Sequence, residues 1–290
     1  MIKYSDRNIN QEERRKYILQ DMNNKMNWLR DNTDLNVAVM LLQGSQIYAQ
    51  DIYCDEYMSD IDVKCLVIPT LEDIVKGNKM VSETLIMEDN THIDVKDIRL
   101  YIDLWSKANP SFLDMLCSDF IIVNNDEFYD ILNMSDEILE MNKLGLYKAI
   151  YGCMLQKQKA LCHPYPSIKD KIDKYGYDSK QLSHLIRYYY LLKDLTDGYS
   201  FKQAITMDTQ YTFSACYRSH IFEVKVNNGF YLKEDAVYLA DMYCERAKKI
   251  IDNLNKDEFE FNYETQDRLK NIIYDMIINQ CKYEILKKDA

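Results

Sequence analysis

The chain has 290 residues, which is enough for one large domain or two of ordinary size. Its formal net charge of −11 argues against a protein that tracks long nucleic acid along a basic stripe. No run approaches the roughly 18–20 apolar residues of a membrane-spanning helix, and the first ten residues are polar and charged, so we expect a cytoplasmic protein without a membrane partner.

The first half of the sequence alternates between helical and strand patterns. Apolar residues three or four apart predict a helix over 9–33, and the continuous apolar run at 36–43 predicts a buried strand. Residues 60–68 alternate and then become apolar, which predicts a second strand that Pro69 ends. The remaining elements predicted in this half are a helix at 70–77, a hairpin of strands at 80–88 and 91–98, and helices at 98–107 and 111–117.

Helical patterns dominate the second half, and strand patterns fade after about residue 125. Helices are predicted at 127–140, 142–162, 179–197, 234–254 and 264–287. We therefore predict an α/β (α+β) fold, in which a domain with a mixed β-sheet flanked by helices, 1–140, precedes a mostly helical domain, 141–290. A cleft between two such domains is a common place for a ligand.

Two carboxylates open the second predicted strand. Residues i and i+2 of a strand point to the same face, so Asp60 and Asp62 are expected to be neighbours. Carboxylates that close repel each other unless a cation lies between them, and Mg²⁺ is the natural occupant of an all-oxygen site. Asp94, on an adjacent predicted strand, would complete a site for two Mg²⁺ or Mn²⁺ ions, which in pairs about 4 Å apart promote phosphoryl transfer.

The pair Gly44-Ser45 ends the first predicted strand. The backbone N–H groups of such a turn, together with a serine hydroxyl, can hold the β and γ phosphates of a triphosphate. A D-x-D pair on its own is more often part of a solvated edge strand. The Gly-Ser turn before it and the third aspartate after it favour the functional interpretation.

The predicted helix at 179–197 has two contrasting faces. One face carries an apolar stripe, formed by Leu182, Leu185, Ile186 and Tyr189. Lys180, His184 and Arg187 fall on the opposite face, where we expect them to look outward and neutralise phosphate charge. His184 would add charge below pH ~6.5. The alternative interpretation is a solvated polar face. The basic cluster at 156–159 is also interpreted as ordinary helix surface, with a place beside the acceptor as its alternative.

These positions resemble the motif of the DNA polymerase β nucleotidyltransferase superfamily, namely Gly-Ser, a spacer, a D-h-D pair and a later h-D-h. The matching residues are Gly44, Ser45, Asp60, Asp62 and Asp94. The runs "SDIDVKCLVIPTLEDIVKG", "DIRLYIDLWSKANPSFLDMLCSD" and "KYGYDSKQLSHLIRYYYLLKDLTDG" resemble its RNA repair pathway branch, over roughly 40–200. The sequence departs from the family in two ways: fourteen residues separate Ser45 from Asp60, a few more than usual, and Ala49 stands where a glycine is expected.

The resemblance implies an enzyme that transfers a nucleoside monophosphate from an NTP, with ATP favoured, to an acceptor hydroxyl and releases pyrophosphate. Asp60 and Asp62 would bind both metals, and Asp94 would bind the catalytic metal and help to deprotonate the acceptor. An RNA 3′ end is the acceptor that the resemblance favours. The alternatives are a protein hydroxyl, as in antitoxins that adenylylate a toxin, and a catalytically decayed, nucleotide-binding regulatory module. If the basic helix face is structural, Arg218 or Lys225 would hold the phosphates.

Overall fold

The computed structural model describes residues 1–7, 10–54, 57–207 and 212–288. The chain divides into two compact units, each made of three segments. We call the first the helical unit; it comprises residues 1–9, 48–59 and 144–260. We call the second the sheet unit; it comprises residues 10–47, 60–143 and 261–290.

The units follow the predicted boundary at residue 140 over most of their length, but three segments do not. The spacer between the Gly-Ser pair and the aspartates, 48–59, groups with the helical unit, as do residues 1–9. The last thirty residues, 261–290, group with the sheet unit.

The sheet unit is built on a five-stranded mixed sheet. Its strands are β1 (Val37–Gln43), β4 (Asp62–Val67), β5 (Ser82–Ile86), β6 (His92–Asp97) and β7 (Ile121–Val123). They lie in the order β5-β6-β4-β1-β7. Its helices are α1 (Gln11–Asn32), α2 (Leu71–Lys76), α3 (Leu100–Ser106), α4 (Pro110–Leu113), α5 (Phe128–Asn133), α6 (Ser135–Glu140) and α14 (Tyr263–Lys288). The predicted α+β fold class, a helix-flanked mixed sheet followed by a mostly helical region, is confirmed.

Strand register decides which side chains become neighbours. The pairing of β1 with β4 is antiparallel and places Gln43 opposite Asp62. The pairing of β4 with β6 is parallel and places Lys64 opposite Asp94. Residues opposite each other in a ladder share a face of the sheet, and so do residues two apart in one strand. Asp62, Lys64 and Asp94 therefore lie on one face, towards one end of two adjacent strands.

The other face of the sheet is the apolar core. The side chains that α1 contributes are spaced three or four residues apart: Ile18, Met22, Met26 and Leu29. The strand residues of the same cluster include Met40, Leu42, Val63, Cys65, Val67, Ile93 and Val95. Because side chains alternate along a strand, burying these residues directs the charged residues between them to the opposite face.

Local sequence signals set several element ends as predicted. Thr70 and Asp73 form a reciprocal capping box at the start of α2, and Gly77 ends that helix with a φ of +65°. Pro110 is the first residue of α4, after Asn109, whose side chain accepts a hydrogen bond from the backbone of the new helix.

Two strand features were not predicted. Strand β7 has three residues, too few to show alternation, and it joins the sheet edge through backbone pairing with β1. The spacer contains a small antiparallel ladder between β2 (Tyr53–Cys54) and β3 (Tyr57–Met58). There the backbone N–H of Ser59 donates to the Ile52 carbonyl at 2.8 Å, which closes the hairpin.

The helical unit is arranged around a central helix, α9 (Ser179–Thr196), which is buried over most of its length. The other helices of this unit are α7 (Lys143–Ala160), α8 (Lys169–Tyr175), α10 (Phe201–Thr206), α11 (Phe213–Cys216), α12 (Arg218–Val226) and α13 (Lys233–Asn253). Of the helices in the described ranges, none combines the length and apolar character that crossing a bilayer would require.

Candidate functional site

The Gly-Ser turn lies directly against one of the predicted catalytic carboxylates. After β1 the chain turns through a short 3-10 segment, Gly44–Gln46, where Gly44 has a φ of +83°. A Cβ atom on Gly44 would lie 3.0 Å from Oδ2 of Asp62. The pairing of β1 with β4 creates this approach, and only glycine meets both the backbone and the space requirement.

A side-chain brace holds the backbone just before β4. The side-chain amide of Gln46 donates to the carbonyl of Asp60, and the buried ammonium of Lys25 donates to the carbonyl of Ile61 at 2.7 Å. Arg14 in turn donates to the Gln46 carbonyl at 2.9 Å. Neither Gln46 nor Lys25 is predicted as a site residue, because neither belongs to a sequence pattern that indicates a partner far along the chain.

The three predicted carboxylates differ in their surroundings. Asp60 and Asp62 are exposed, whereas Asp94 is partly buried. The carboxylate of Asp94 lies 3.1 Å from the ammonium of Lys96 and 4.0 Å from that of Lys64. Asp94 therefore already has two cationic neighbours from its own sheet.

Lys64 is itself an unusual residue, a buried lysine in the middle of β4. Its ammonium donates to the Ser111 carbonyl at 3.0 Å and lies 4.2 Å from the ring centroid of Phe112. Burial lowers the pKa of Lys64, while the negative charges of Asp114 and Asp94 oppose the shift. We call Asp62 and Asp94, together with Asp60 just before β4, the carboxylate face. Because Lys64 stands two residues after Asp62 in the strand, the sequence places it on this face.

The carboxylate oxygens of Asp60, Asp62 and Asp94 fit the requirements of Mg²⁺ only in part. Exposed carboxylates such as Asp60 and Asp62 suit an ion that proteins often hold by one or two acids plus substrate phosphates. Within the described residues, no three Asp, Glu, His or Cys side chains are grouped so as to hold a metal ion. The assignment of Asp60, Asp62 and Asp94 as a joint ligand set therefore stays a prediction.

Ala49, at the position where the resemblance predicts a glycine, has a left-handed backbone conformation. Its φ is +51°, in the left-handed region. A non-glycine residue there costs on the order of 1 kcal/mol. Glycine would adopt this φ without that cost, so Ala49→Gly is compatible with the observed turn.

The three residues of the basic row on α9, Lys180, His184 and Arg187, differ in their exposure to solvent. Lys180 is exposed and His184 half-buried, whereas Arg187 is only 4% exposed. The Arg187 guanidinium lies 3.8 Å from the ring centroid of Tyr48 and 4.6 Å from that of Tyr188. The expectation that the whole row looks outward is therefore wrong for Arg187, because aromatic rings of the helical unit cover it. The four residues of the predicted apolar stripe are buried, as expected.

Positive charge converges on His184. Burial, followed by the positive charges of Arg187, Lys157, Lys180 and Lys225, lowers the pKa of His184 well below its ordinary value. The expectation that His184 gains charge at pH ~6.5 is corrected accordingly, since the imidazole stays neutral to lower pH. Lys157 is half-buried, so the interpretation of 156–159 as plain helix surface does not hold for this residue.

The fold and these residues define an α+β protein with a carboxylate face in one unit and a basic cluster in the other. No model of a known protein family matches the sequence. No curated protein matches it either. Among solved structures, the chain is similar to a nucleotidyltransferase-like protein from Exiguobacterium sibiricum, with a TM-score of 0.32 and 10% identity over 74% of this chain and 69% of that chain. A TM-score of this size assigns no function.

Proposed function

We propose that this protein is a metal-dependent nucleotidyltransferase that moves a nucleoside monophosphate from an NTP, preferably ATP, to an acceptor hydroxyl and releases pyrophosphate. The observation that carries the proposal is the 3.0 Å approach between a Gly44 Cβ position and the Asp62 carboxylate. It brings a turn with phosphate-binding chemistry beside an exposed acid, on the strand next to that of Asp94.

Each residue of the carboxylate face has a proposed role. Asp60 and Asp62 would hold Mg²⁺, and Asp94 would join them by exchanging its lysine partners for the metal. Bound Mg²⁺ would supply charge neutralisation and would activate the attacking oxygen. The backbone N–H groups at Gly44 and Ser45 would bind phosphate oxygens.

The helical unit is proposed to bind phosphate as well. Lys180, His184 and Arg187 share one side of α9, at a spacing of four and then three residues. Lys180, which is exposed, would contribute a charge-assisted hydrogen bond. Arg187, whose guanidinium lies against Tyr48 and Tyr188, would contribute its positive charge. His184, neutral at pH 7, would contribute an uncharged one.

The acceptor that we favour is an RNA 3′ end, in line with the resemblance over residues 40–200. A net charge of −11 suits a protein that grips an RNA end locally rather than one that tracks a long duplex. The test is to incubate the protein with Mg²⁺, each labelled NTP and a total RNA pool, and to identify what becomes labelled. Label on a protein would replace the RNA acceptor with a protein hydroxyl. NTP binding without any transfer would indicate the regulatory module instead.

Asp62→Asn tests the carboxylate role directly. We expect it to abolish label transfer and to leave the free energy of unfolding unchanged or slightly higher, since repulsion from Asp60 is relieved. Asp103→Asn, at an exposed position on α3, is the matched control and should transfer label like the wild type. If Asp60→Asn and Asp62→Asn both keep wild-type activity, the carboxylate face is not catalytic.

A further inference from the structure

Basic side chains from three different helices meet in the helical unit. We call them the cationic cluster, which consists of Lys157 on α7, Lys180, His184 and Arg187 on α9, and Lys225 on α12. The backbone N–H of Asp178 donates to the Leu161 carbonyl at 2.8 Å, and the Tyr147 hydroxyl donates to the Leu195 carbonyl at 3.3 Å. The helix α7 therefore runs alongside α9 in the opposite direction, which brings Lys157 level with the basic row, and the charges of the four cationic members lower the pKa of His184. Neither 156–159 nor Lys225 belongs to the row predicted on α9, so the cluster is a product of helix packing.

Helix packing holds the members in place. The Ser183 hydroxyl donates to the Ile221 carbonyl at 2.7 Å, which ties α9 to α12 one turn before Lys225. At the start of α9, the Asp178 side chain accepts a hydrogen bond from the backbone N–H of Lys180 at 3.0 Å, so the first turn is capped.

Two of the cations are oriented by the spacer segment 48–59. The Arg187 guanidinium lies against the ring of Tyr48, and the Lys225 ammonium donates to the Gln50 carbonyl at 2.9 Å. Fixing a lysine or arginine before a ligand arrives removes part of the entropic cost of binding. The spacer therefore pre-organises the cluster.

The cluster brings like charges together in a partly buried place. Burial lowers the pKa of Lys157, and the charges of Arg187 and Lys180 lower it further, while Cys153 and Asp178 oppose them. Repulsion of this kind is unfavourable in a medium of reduced dielectric constant. An anion with several charges would offset it for all members at once, whereas a single carboxylate would not.

We propose that the cationic cluster is a binding site for a chain of phosphate groups, and that Lys157 and Lys225 are as much a part of it as the row on α9. This proposal deepens the proposed function. It rests on that function only for the identity of the ligand, which would be the triphosphate of a nucleotide or the pyrophosphate product. The site itself requires only a linear polyphosphate.

Isothermal titration calorimetry with inorganic tripolyphosphate, in the absence of nucleotide, tests the site on the full chain. We expect the wild type to bind, and Lys157→Met or Lys225→Met to raise the Kd by at least about tenfold, because each removes a charge-assisted contact. Methionine keeps most of the apolar stem that lysine packs against its surroundings. Lys159→Met, at an exposed position on the same helix as Lys157, should leave the Kd unchanged.

A second variant separates lost charge from lost structure. Lys157→Arg keeps the positive charge and should therefore have a lower Kd than Lys157→Met. The melting temperature of every variant is recorded beside its Kd. Failure of the wild type to bind tripolyphosphate would overturn the proposal. So would equal loss of affinity in Lys157→Met and Lys159→Met, because a diffuse surface charge would then explain the binding.

The experiments distinguish a failure of the phosphate site from a failure of the proposed transferase function. Tripolyphosphate binding that depends on Lys157 and Lys225, in a protein that transfers no label from any NTP, would support the site and contradict the transferase. The opposite result is also possible: label transfer is lost in Asp62→Asn but is unaffected by Lys157→Met and Lys225→Met at limiting NTP. That result would support the transferase and contradict the phosphate site in the cationic cluster.

Discussion

Gly44 is the residue at which the Gly-Ser motif can be tested without any assay of activity. Its φ of +83° disfavours every residue with a side chain, and Oδ2 of Asp62 occupies the space next to it. Gly77 is a matched control, because it has a φ of +65° but nothing within 4 Å of an added Cβ. The difference between the two positions isolates the carboxylate contact from the backbone cost.

We expect Gly77→Ala to lower the free energy of unfolding by about 1–2 kcal/mol, the cost of a left-handed residue. Gly44→Ala should lose at least about 1 kcal/mol more, because the Asp62 carboxylate must also move. Urea unfolding of the two variants beside the wild type measures both losses. If Gly44→Ala and Gly77→Ala lose the same free energy of unfolding, Asp62 moves aside without cost. The close approach of Gly44 and Asp62 would then not support the proposed function.

At the scale of elements, α9 combines a structural face with a basic one. Leu185 is fully buried, whereas Lys180 is exposed at the first turn. Arg187 belongs to both faces, since its guanidinium is buried against Tyr48 and Tyr188. This dual character follows from the packing of the spacer segment 48–59 within the helical unit and not from the α9 sequence.

We expect Leu185→Ala to lower the free energy of unfolding by ~2–5 kcal/mol and Lys180→Ala by less than ~0.5 kcal/mol. Arg187→Ala should lower it by about 2 kcal/mol, since it removes a desolvated cation from between aromatic rings. A loss of this size would not be expected from the outward-facing position that the sequence predicts for Arg187. Urea unfolding of the three variants measures these losses. If Arg187→Ala unfolds with the midpoint and slope of the wild type, the contact of Arg187 with the aromatic rings does not stabilise the protein.

At the scale of the whole molecule, the sheet unit depends on the end of the chain. In α14, Leu269, Ile273 and Met276 are fully buried. The Glu284 carboxylate of the same helix accepts a hydrogen bond at 2.9 Å from the backbone N–H of Leu71, at the start of α2. A helix that lies last in the sequence thus completes a core that begins near residue 10.

We expect a fragment of residues 1–143 to lack a cooperative thermal transition, because the apolar surface that α14 covers would be exposed to water. Adding a peptide of residues 261–288 should restore the transition, followed by circular dichroism. A control peptide with serine in place of Leu269, Ile273 and Met276 should not. If the fragment unfolds cooperatively by itself, the boundary predicted at residue 140 describes the domains better than the compact units do.

Several features of this protein are determined by the sequence alone because they arise within a few residues. Hydrophobic periodicity locates α1, β1, β4 and α9, and the capping residues Thr70 and Asp73 start α2. The alternation of a strand puts Asp62 and Lys64 on one face without any knowledge of the fold.

Tertiary structure decided which of these local features meet. The pairing of β1 with β4 brings Gly44 against Asp62, and the pairing of β4 with β6 sets Lys64 beside Asp94. Helix packing brings α7, which carries Lys157, and α12, which carries Lys225, against α9. The physical reason is the same in each case: these contacts join residues far apart in the chain, and their energy depends on register and packing that no local pattern of residues records.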